Sequence, residues 1–500
     1  MQLLTNGYFY SLNKNNDIYK AILIDRDKIV DCFFNIPTIS DVEQIDLHNK
    51  FIFPGFIDAH THFVETGILS LGADLSLTNT VNDAIQLLKM TKPIDGIIIG
   101  YNFDQYNYDE KREFTYKELN SVSKTTPLFI LRKDGHSCYL NEIAFNLLKL
   151  NPKTVGIITK NNKFCGILRG QANSIASKFF KSQIKNDGKI IAFYKAAELA
   201  INKGVTTVHA MLGDAKNDLS DLLLYENIKN ELHIKIIPYP QVFDIEKVAN
   251  LGYNLIGGCL LVDGSFGSHT AALMSSYADS PGNGVLYHSD SFWYNFFMNA
   301  EKKHIRVAVH SIGDRAILQI LNAIEMAKQK HSKSNLQHII IHFELTPDYI
   351  LDKARELDVQ LVMQPVFEYI WGGKGKMYEQ VLGKERIMQT NRFRSILQRG
   401  LLVAGSSDAY VTPIDPLLGI YSAVNHPNPD EKISKLEALR MFTTNAAEVS
   451  GDENNLGKID KEYIANLVVL AENPLATERI DKIKIEQVFI NGMGLVLRGV

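Results

Sequence analysis

Phe51-Ile52-Phe53-Pro54-Gly55-Phe56-Ile57-Asp58-Ala59-His60-Thr61-His62-Phe63 is the stretch on which the fold turns. The residues leading into His60 are mostly apolar, as expected of a buried strand. Side chains alternate along a strand, so Asp58, His60 and His62 share one face. Two imidazoles on one face, two residues apart, can both reach one metal ion. The pattern is weak by itself, because two ordinary histidines near a strand end would read the same.

Working outward, apolar runs alternate with helical periodicity. Val205-Thr206-Thr207-Val208-His209 follows a helical stretch from Lys189 to Lys203. Arg306-Val307-Ala308-Val309-His310 precedes one from Asp314 to Lys330, and Ile339-Ile340-Ile341-His342 precedes one from Pro347 to Leu357. Leu401-Leu402-Val403-Ala404 follows another from Arg386 to Arg399. Such repetition predicts a parallel α/β structure, and the number of units favours a closed barrel over an open sheet. Residues 1–53 and those from about 457 to the end read instead as short strands and turns. A single small β domain built from both termini is the economical reading. The Asn-, Lys- and Tyr-rich segment from about 65 to 180 breaks the rhythm and reads as an insertion after the first barrel strand, carrying substrate contacts.

His310, His342 and Asp408 each stand at or just past the C-terminal end of an apolar run. If those runs are barrel strands, all three meet His60 and His62 at the rim where barrel enzymes place their active sites. Imidazole nitrogen and carboxylate oxygen suit zinc. Taken singly, His310 or His342 is as readily a hydrogen-bonded core histidine. His209 can line the same rim or belong to the core.

The chain has 500 residues, which predicts a large domain with one or two smaller ones. A formal net charge of -3 with interspersed charges gives no support for a nucleic-acid groove or a membrane-surface patch. No apolar stretch is long enough to span a bilayer, and no secretory signal is visible. Cys32, Cys138, Cys165 and Cys259 form no CxxC pair, so a disulfide framework is not expected and a reducing cytoplasm fits. The glycine-rich Gly372-Gly373-Lys374-Gly375-Lys376 lacks phosphate-loop spacing and reads as a mobile active-site loop.

The segment Pro54 to His62 resembles the first-strand motif of the amidohydrolase superfamily. Asp134-Gly135-His136, Gly166-Ile167-Leu168-Arg169, Asp263 to Leu273, and His310 to Ala316 resemble one branch of it, the amidohydrolase 3 or YtcJ-like family. Gly405-Ser406-Ser407-Asp408 and Thr443-Thr444-Asn445-Ala446-Ala447 complete the likeness, which runs nearly the whole chain. The resemblance implies a metal-bearing (β/α)8 TIM-type barrel over 54–456 and a small β-sandwich formed by 1–53 and 457–500. It assigns His60, His62, His310 and His342 as metal ligands. Asp408 is implied as a further ligand and as the general base. His136 is assigned to the pocket as a donor to the carbonyl, with Arg169, Asp263, His269 and Asp314 as substrate contacts.

Where two-metal members carry a bridging carboxylated lysine, this chain has Cys259, whose thiolate could serve instead. A small buried hydrophobe is the plain alternative. Two further departures are His269, where arginine is common, and Asn466, where aspartate is usual. The implied cofactor is zinc, one or two ions, with other divalent metals open. The implied reaction is hydrolysis of a non-peptide C–N bond, amide-type and N-formyl or N-acyl, in a small molecule; a formamide-cleaving deformylase is among the enzymes of this branch. Hydrolysis of lactone, carbamate or phosphoester bonds, and a non-catalytic binding relative, are the alternatives. Homo-oligomerisation is left open.

Overall fold

The computed structural model describes every residue except Asp134, His136, Lys216, 332–334, Val496 and 498–500. The chain forms two compact units, one of Met1–His62 with Glu198–Val500 and one of Phe63–Ala197. Among the described residues no helix is long and apolar enough to cross a membrane.

In the first unit both termini build one sheet. Its order is Met493–Leu495, Ile485–Ile490, Leu467–Leu470, Phe51–Pro54, Gln2–Tyr10, Ile18–Asp25 and Lys28–Phe33, with Glu43–Asp46 also paired to Gln2–Tyr10. Leu4, Phe9, Ile22, Ile52, Leu467 and Phe489 fill one core beneath it. Val468 faces Phe53 across an antiparallel pair. The chain therefore enters the His60 strand from a clamped position.

That strand, Phe56–Thr61, is buried throughout and lies in a parallel sheet with Val205–Leu212 and Lys235–Pro240. A second parallel sheet runs Leu255–Leu261, Arg306–Ser311, Ile339–His342, Gln360–Met363 and Val403–Gly405. Helices Asp290–Lys302, Asp314–Lys330, Asp348–Glu356 and Phe393–Gln398 fall between consecutive strands of this second sheet. This is the strand–helix alternation that gives a parallel, mixed α/β structure. Just past the last strand, Asp408 donates its backbone N–H to the His60 carbonyl at 3.0 Å, and His62 donates to the Ala409 carbonyl at 2.7 Å. The two sheets are thus joined by backbone at the place where the chemistry-bearing residues stand.

One expected helix is broken. Residues 386–399 form a 3₁₀ turn, Arg386–Gln389, and a short helix, Phe393–Gln398. Asn391 sits between them with φ +47 because its backbone N–H is drawn to the Glu344 carbonyl at 2.8 Å.

The second unit has its own six-stranded sheet, ordered Ile157–Lys160, Lys163–Arg169, Ser137–Leu140, Leu128–Arg132, Ile98–Phe103 and Ala73–Asp74. Phe103 anchors its core, packing against Tyr108, Phe114 and Tyr139 with ring centroids 4.3–5.1 Å apart. The Asn-, Lys- and Tyr-rich composition conceals an ordered core, because Tyr108 and Tyr139 are buried in it while Lys160 and Lys163 stand exposed on its strands.

Candidate metal centre

Each candidate ligand is delivered by a strand end. His60 is the penultimate residue of its strand and is fully buried; His62 comes just after the strand ends. Asp408 comes from the segment after Val403–Gly405, which Asp58 holds in place. Asp58 Oδ1 accepts the Ser407 N–H at 3.0 Å and the His60 N–H at 3.3 Å. Asp58 thus ties together the two segments that bear candidate ligands. The sequence marked its face but gave it no role.

His60 Nε2 and His62 Nε2 lie 3.2 and 3.3 Å from Asp408 Oδ1. The His60 and His62 rings are 5.5 Å apart, His60 and His342 5.7 Å, and His310 and His342 4.4 Å. One potential ligand atom from each of His60, His62 and Cys259 lies within 4.8 Å of the others, and the same holds for His60, His342 and Asp408. His310 stands beside the first group, close enough for the Cys259 thiolate to act on its pKa, with Nε2 3.3 Å from the Gly264 carbonyl.

Cys259 reaches this point through a bulge. Gly257 and Gly258, at φ +104 and +102, shift the register of Leu255–Leu261 against its neighbour. A Cβ on Gly258 would fall 1.8 Å from Met211 Sδ, so only glycine fits. Such a bulge re-aims the next side chain, which simple alternation does not do.

The electrostatics suit a cation. Burial would raise the Cys259 pKa, but the neighbouring His310, His60 and His62 rings outweigh it and hold the thiol well below its usual range. Asp408 is likewise held below the usual carboxylate range against burial by the His60 and His62 rings. Burial opposes protonation of His310, yet Cys259 and Asp263 push its pKa up to about 9. Two anionic donors therefore face a group of imidazoles. Both His60 nitrogens and Asp408 Oδ1 are buried and, although close to one another, none makes a hydrogen bond of acceptable geometry among the described residues. Nitrogen, sulfur and oxygen donors converging in a buried site, with the His60 and Asp408 atoms unsatisfied, fit a divalent ion such as zinc, which would balance the anions and take the place of protons.

The other expected residues stand as follows. Asp263 is fully buried and accepts backbone N–H groups from Ala272, Ile312 and Gly313 at 2.8–3.0 Å. Asp314 accepts those of Met274 and Arg315 at 2.9 and 3.0 Å. Both carboxylates are occupied in stitching the loop after Cys259 to helix Asp314–Lys330. His269 pairs with Asp279 at 2.8 Å on an exposed turn. Arg169 belongs to the second unit, where it pairs with Glu113 at 2.9 Å. There it lines a cleft of about 290 Å³ with Gln105, Tyr106, Arg132 and Ser137. His136 lies outside the described residues. His209 is buried, with Nδ1 3.1 Å from the Tyr239 hydroxyl, and burial pushes its pKa down to about 3.

Parallel strands that bring four imidazoles, a thiol and a carboxylate to one point define a mixed α/β protein with a candidate metal centre. The chain belongs to the amidohydrolase family, whose sequence profile matches residues 43–494. It is 27% identical to YtcJ of Bacillus subtilis (strain 168), described as an amidohydrolase, over 97% of each chain. It is 23% identical to the N-substituted formamide deformylase of Arthrobacter pascens over 98% of this chain and 97% of that protein. Among solved structures it is similar to an uncharacterised metal-dependent hydrolase from Pyrococcus furiosus. That match has a TM-score of 0.80 and 26% identity, and covers 95% of this chain and 99% of that one.

Proposed function

We propose that the protein is a metal-dependent hydrolase of small molecules that cleaves a non-peptide C–N bond of the amide type, N-formyl or N-acyl. The observation that carries this reading is the convergence of His60, His62, Cys259, His342 and Asp408, with His310 beside them, around the buried, unsatisfied His60 nitrogens and Asp408 Oδ1. Similarity to a formamide deformylase supports the bond class. In this reading the two parallel sheets close as one (β/α)8 barrel over 54–456, and the strands of 1–53 and 457–500 form the small β domain. The segment from about 65 to 180 is the insertion.

His60, His62, His310, His342, Cys259 and Asp408 would hold the metal, with Cys259 placed to be shared if there are two ions. A divalent ion such as zinc supplies Lewis acidity, polarising a carbonyl oxygen and lowering the pKa of water. Asp408, kept ionised, accepts the proton of the attacking water and returns it to the leaving nitrogen, a contribution of typically ~10²–10⁴-fold. Arg169 and His136 are assigned to substrate contacts. Asp263 and Asp314 act on the substrate only through the loop they hold.

The test is elemental analysis of purified protein together with a panel of amides, lactones, carbamates and phosphoesters. Amide turnover that disappears in both His60→Ala and Asp408→Ala supports the proposal. Full activity in both variants would sink it, and turnover confined to esters would move the bond class. Zinc stoichiometry that falls from two to one in Cys259→Ala supports a shared thiolate. One ion in both proteins makes the centre mononuclear.

A further inference from the structure

His342 lies at the end of its strand with Nδ1 2.7 Å from Gln364 Oε1. Gln364 Nε2 donates to Ser406 Oγ at 2.9 Å, and the Ser406 hydroxyl donates to the Met363 carbonyl at 3.2 Å. The three side chains are at most 2% exposed, so water does not enter the chain of bonds. They come from neighbouring strand ends, those of Ile339–His342, Gln360–Met363 and Val403–Gly405.

The polarity of this relay is set at its far end. A backbone carbonyl only accepts, so the Ser406 hydroxyl spends its one proton there. The hydroxyl oxygen can then only accept, which turns the Gln364 NH₂ toward it and the amide oxygen toward His342. An amide oxygen only accepts, so the proton of the neutral imidazole must sit on His342 Nδ1, leaving a lone pair on Nε2. Phe367 stacks on the ring, with centroids 5.9 Å apart and planes 16° apart, and limits its rotation.

From this we infer that Gln364 and Ser406 are positioning residues of the metal centre: the relay from the Met363 carbonyl locks His342 in its Nδ1–H tautomer and presents Nε2 as the ligand atom. The inference rests on the metal-centre reading proposed above. The relay also reaches the segment of the carboxylate ligand, because Ser406 stands two residues before Asp408 and next to Ser407, which Asp58 holds. A partner that fixes the far nitrogen of a ligating histidine commonly sets metal affinity by ~10–100-fold.

The experiment measures zinc affinity by competition with a chromogenic chelator for the wild type, Gln364→Leu, Gln364→Glu and Ser406→Ala. Gln364→Leu should weaken zinc binding ~10–100-fold. Gln364→Glu, whose carboxylate still accepts from Nδ1–H, should keep near wild-type affinity, with Ser406→Ala between the two. A packing role predicts the reverse order, since leucine fills the space and glutamate buries a charge. Wild-type affinity in Gln364→Leu, or equal losses in the leucine and glutamate variants, would overturn the relay alone. Absence of zinc binding by the wild type would overturn the metal-centre reading itself. Folding of the variants is bypassed by ¹⁵N-histidine NMR of the metal-free wild type, with His342→Gln used for assignment. The relay requires the Nδ1–H tautomer for His342, and an Nε2–H tautomer would refute it.

Discussion

Glu368 offers a perturbation whose sign and size follow from the structure. It lies in helix Pro365–Trp371, is 1% exposed, and accepts a hydrogen bond from Asn391 Nδ2 at 3.0 Å. The same amide nitrogen is 3.5 Å from Glu344 Oε2, so two buried carboxyls share one neutral donor. Burial pushes the Glu368 pKa up from 4.5 to about 7, against the pull of Asn391 and Thr390. The folded state thus holds this proton more tightly than the unfolded chain. The resulting stability is fully present below pH 4.5 and is lost as pH rises through about 7. A carboxyl moved that far gives up roughly 3 kcal/mol by pH 8. Glu368→Gln keeps an oxygen for Asn391 and has no charge to bury. It should match the wild type at pH 5 and exceed it at pH 8 by up to ~3 kcal/mol, which is several degrees in Tm. Thermal unfolding followed by circular dichroism from pH 5 to 8, in chelator-treated protein so that metal binding does not contribute, reads the difference. A gap between the two proteins that stays constant with pH, or that favours the wild type at pH 8, would refute the reasoning.

Other perturbations probe the loop, the bulge and the thiol. Asp263→Asn sets an NH₂ against one or more of the backbone N–H groups from Ala272, Ile312 and Gly313, and should lose ~1–3 kcal/mol by denaturant unfolding; an unchanged midpoint would count against the clamp. Gly258→Ala puts a methyl 1.8 Å from Met211 Sδ at φ +102. It should reduce both Tm and bound metal, through a loss of ~1–3 kcal/mol and displacement of Cys259. Retained metal content would detach the bulge from ligand placement. Stripping metal with a chelator should speed alkylation of Cys259 by iodoacetamide, seen by peptide mass mapping, because a thiolate freed of its ion becomes a nucleophile. Equal rates with and without the metal would argue that the sulfur holds none.

The strands, and the candidate ligands at their ends, were legible because burial on both faces writes a continuous apolar run. His60, His310 and His342 each end such a run, and Asp408 follows one closely. Periodicity carries that much and no more, since it encodes which face a residue occupies and not which distant group it meets. Cys259 shows the limit. The sequence position singled out Cys259, but in the fold the thiol is aimed by the Gly257–Gly258 bulge, where positive φ values and the closeness of the Ala308 carbonyl and Met211 Sδ leave room only for glycine. Asp263 shows it from the other side: the motif around it suggested a substrate contact, while in the fold its oxygens meet three backbone N–H groups. Asn391 broke an expected helix for one carbonyl 47 positions away and two buried carboxyls. Gln364 left no trace in the sequence, and Ser406 stood in the motif before Asp408 without a role, because a hydrogen bond worth ~1 kcal/mol net imposes no spacing on its partners. On the proposed metal-centre reading, these residues decide whether the candidate ligands can work. A histidine at the correct strand end with its proton on the wrong nitrogen is no ligand, and the proton on His342 is assigned by a carbonyl three bonds of the relay away.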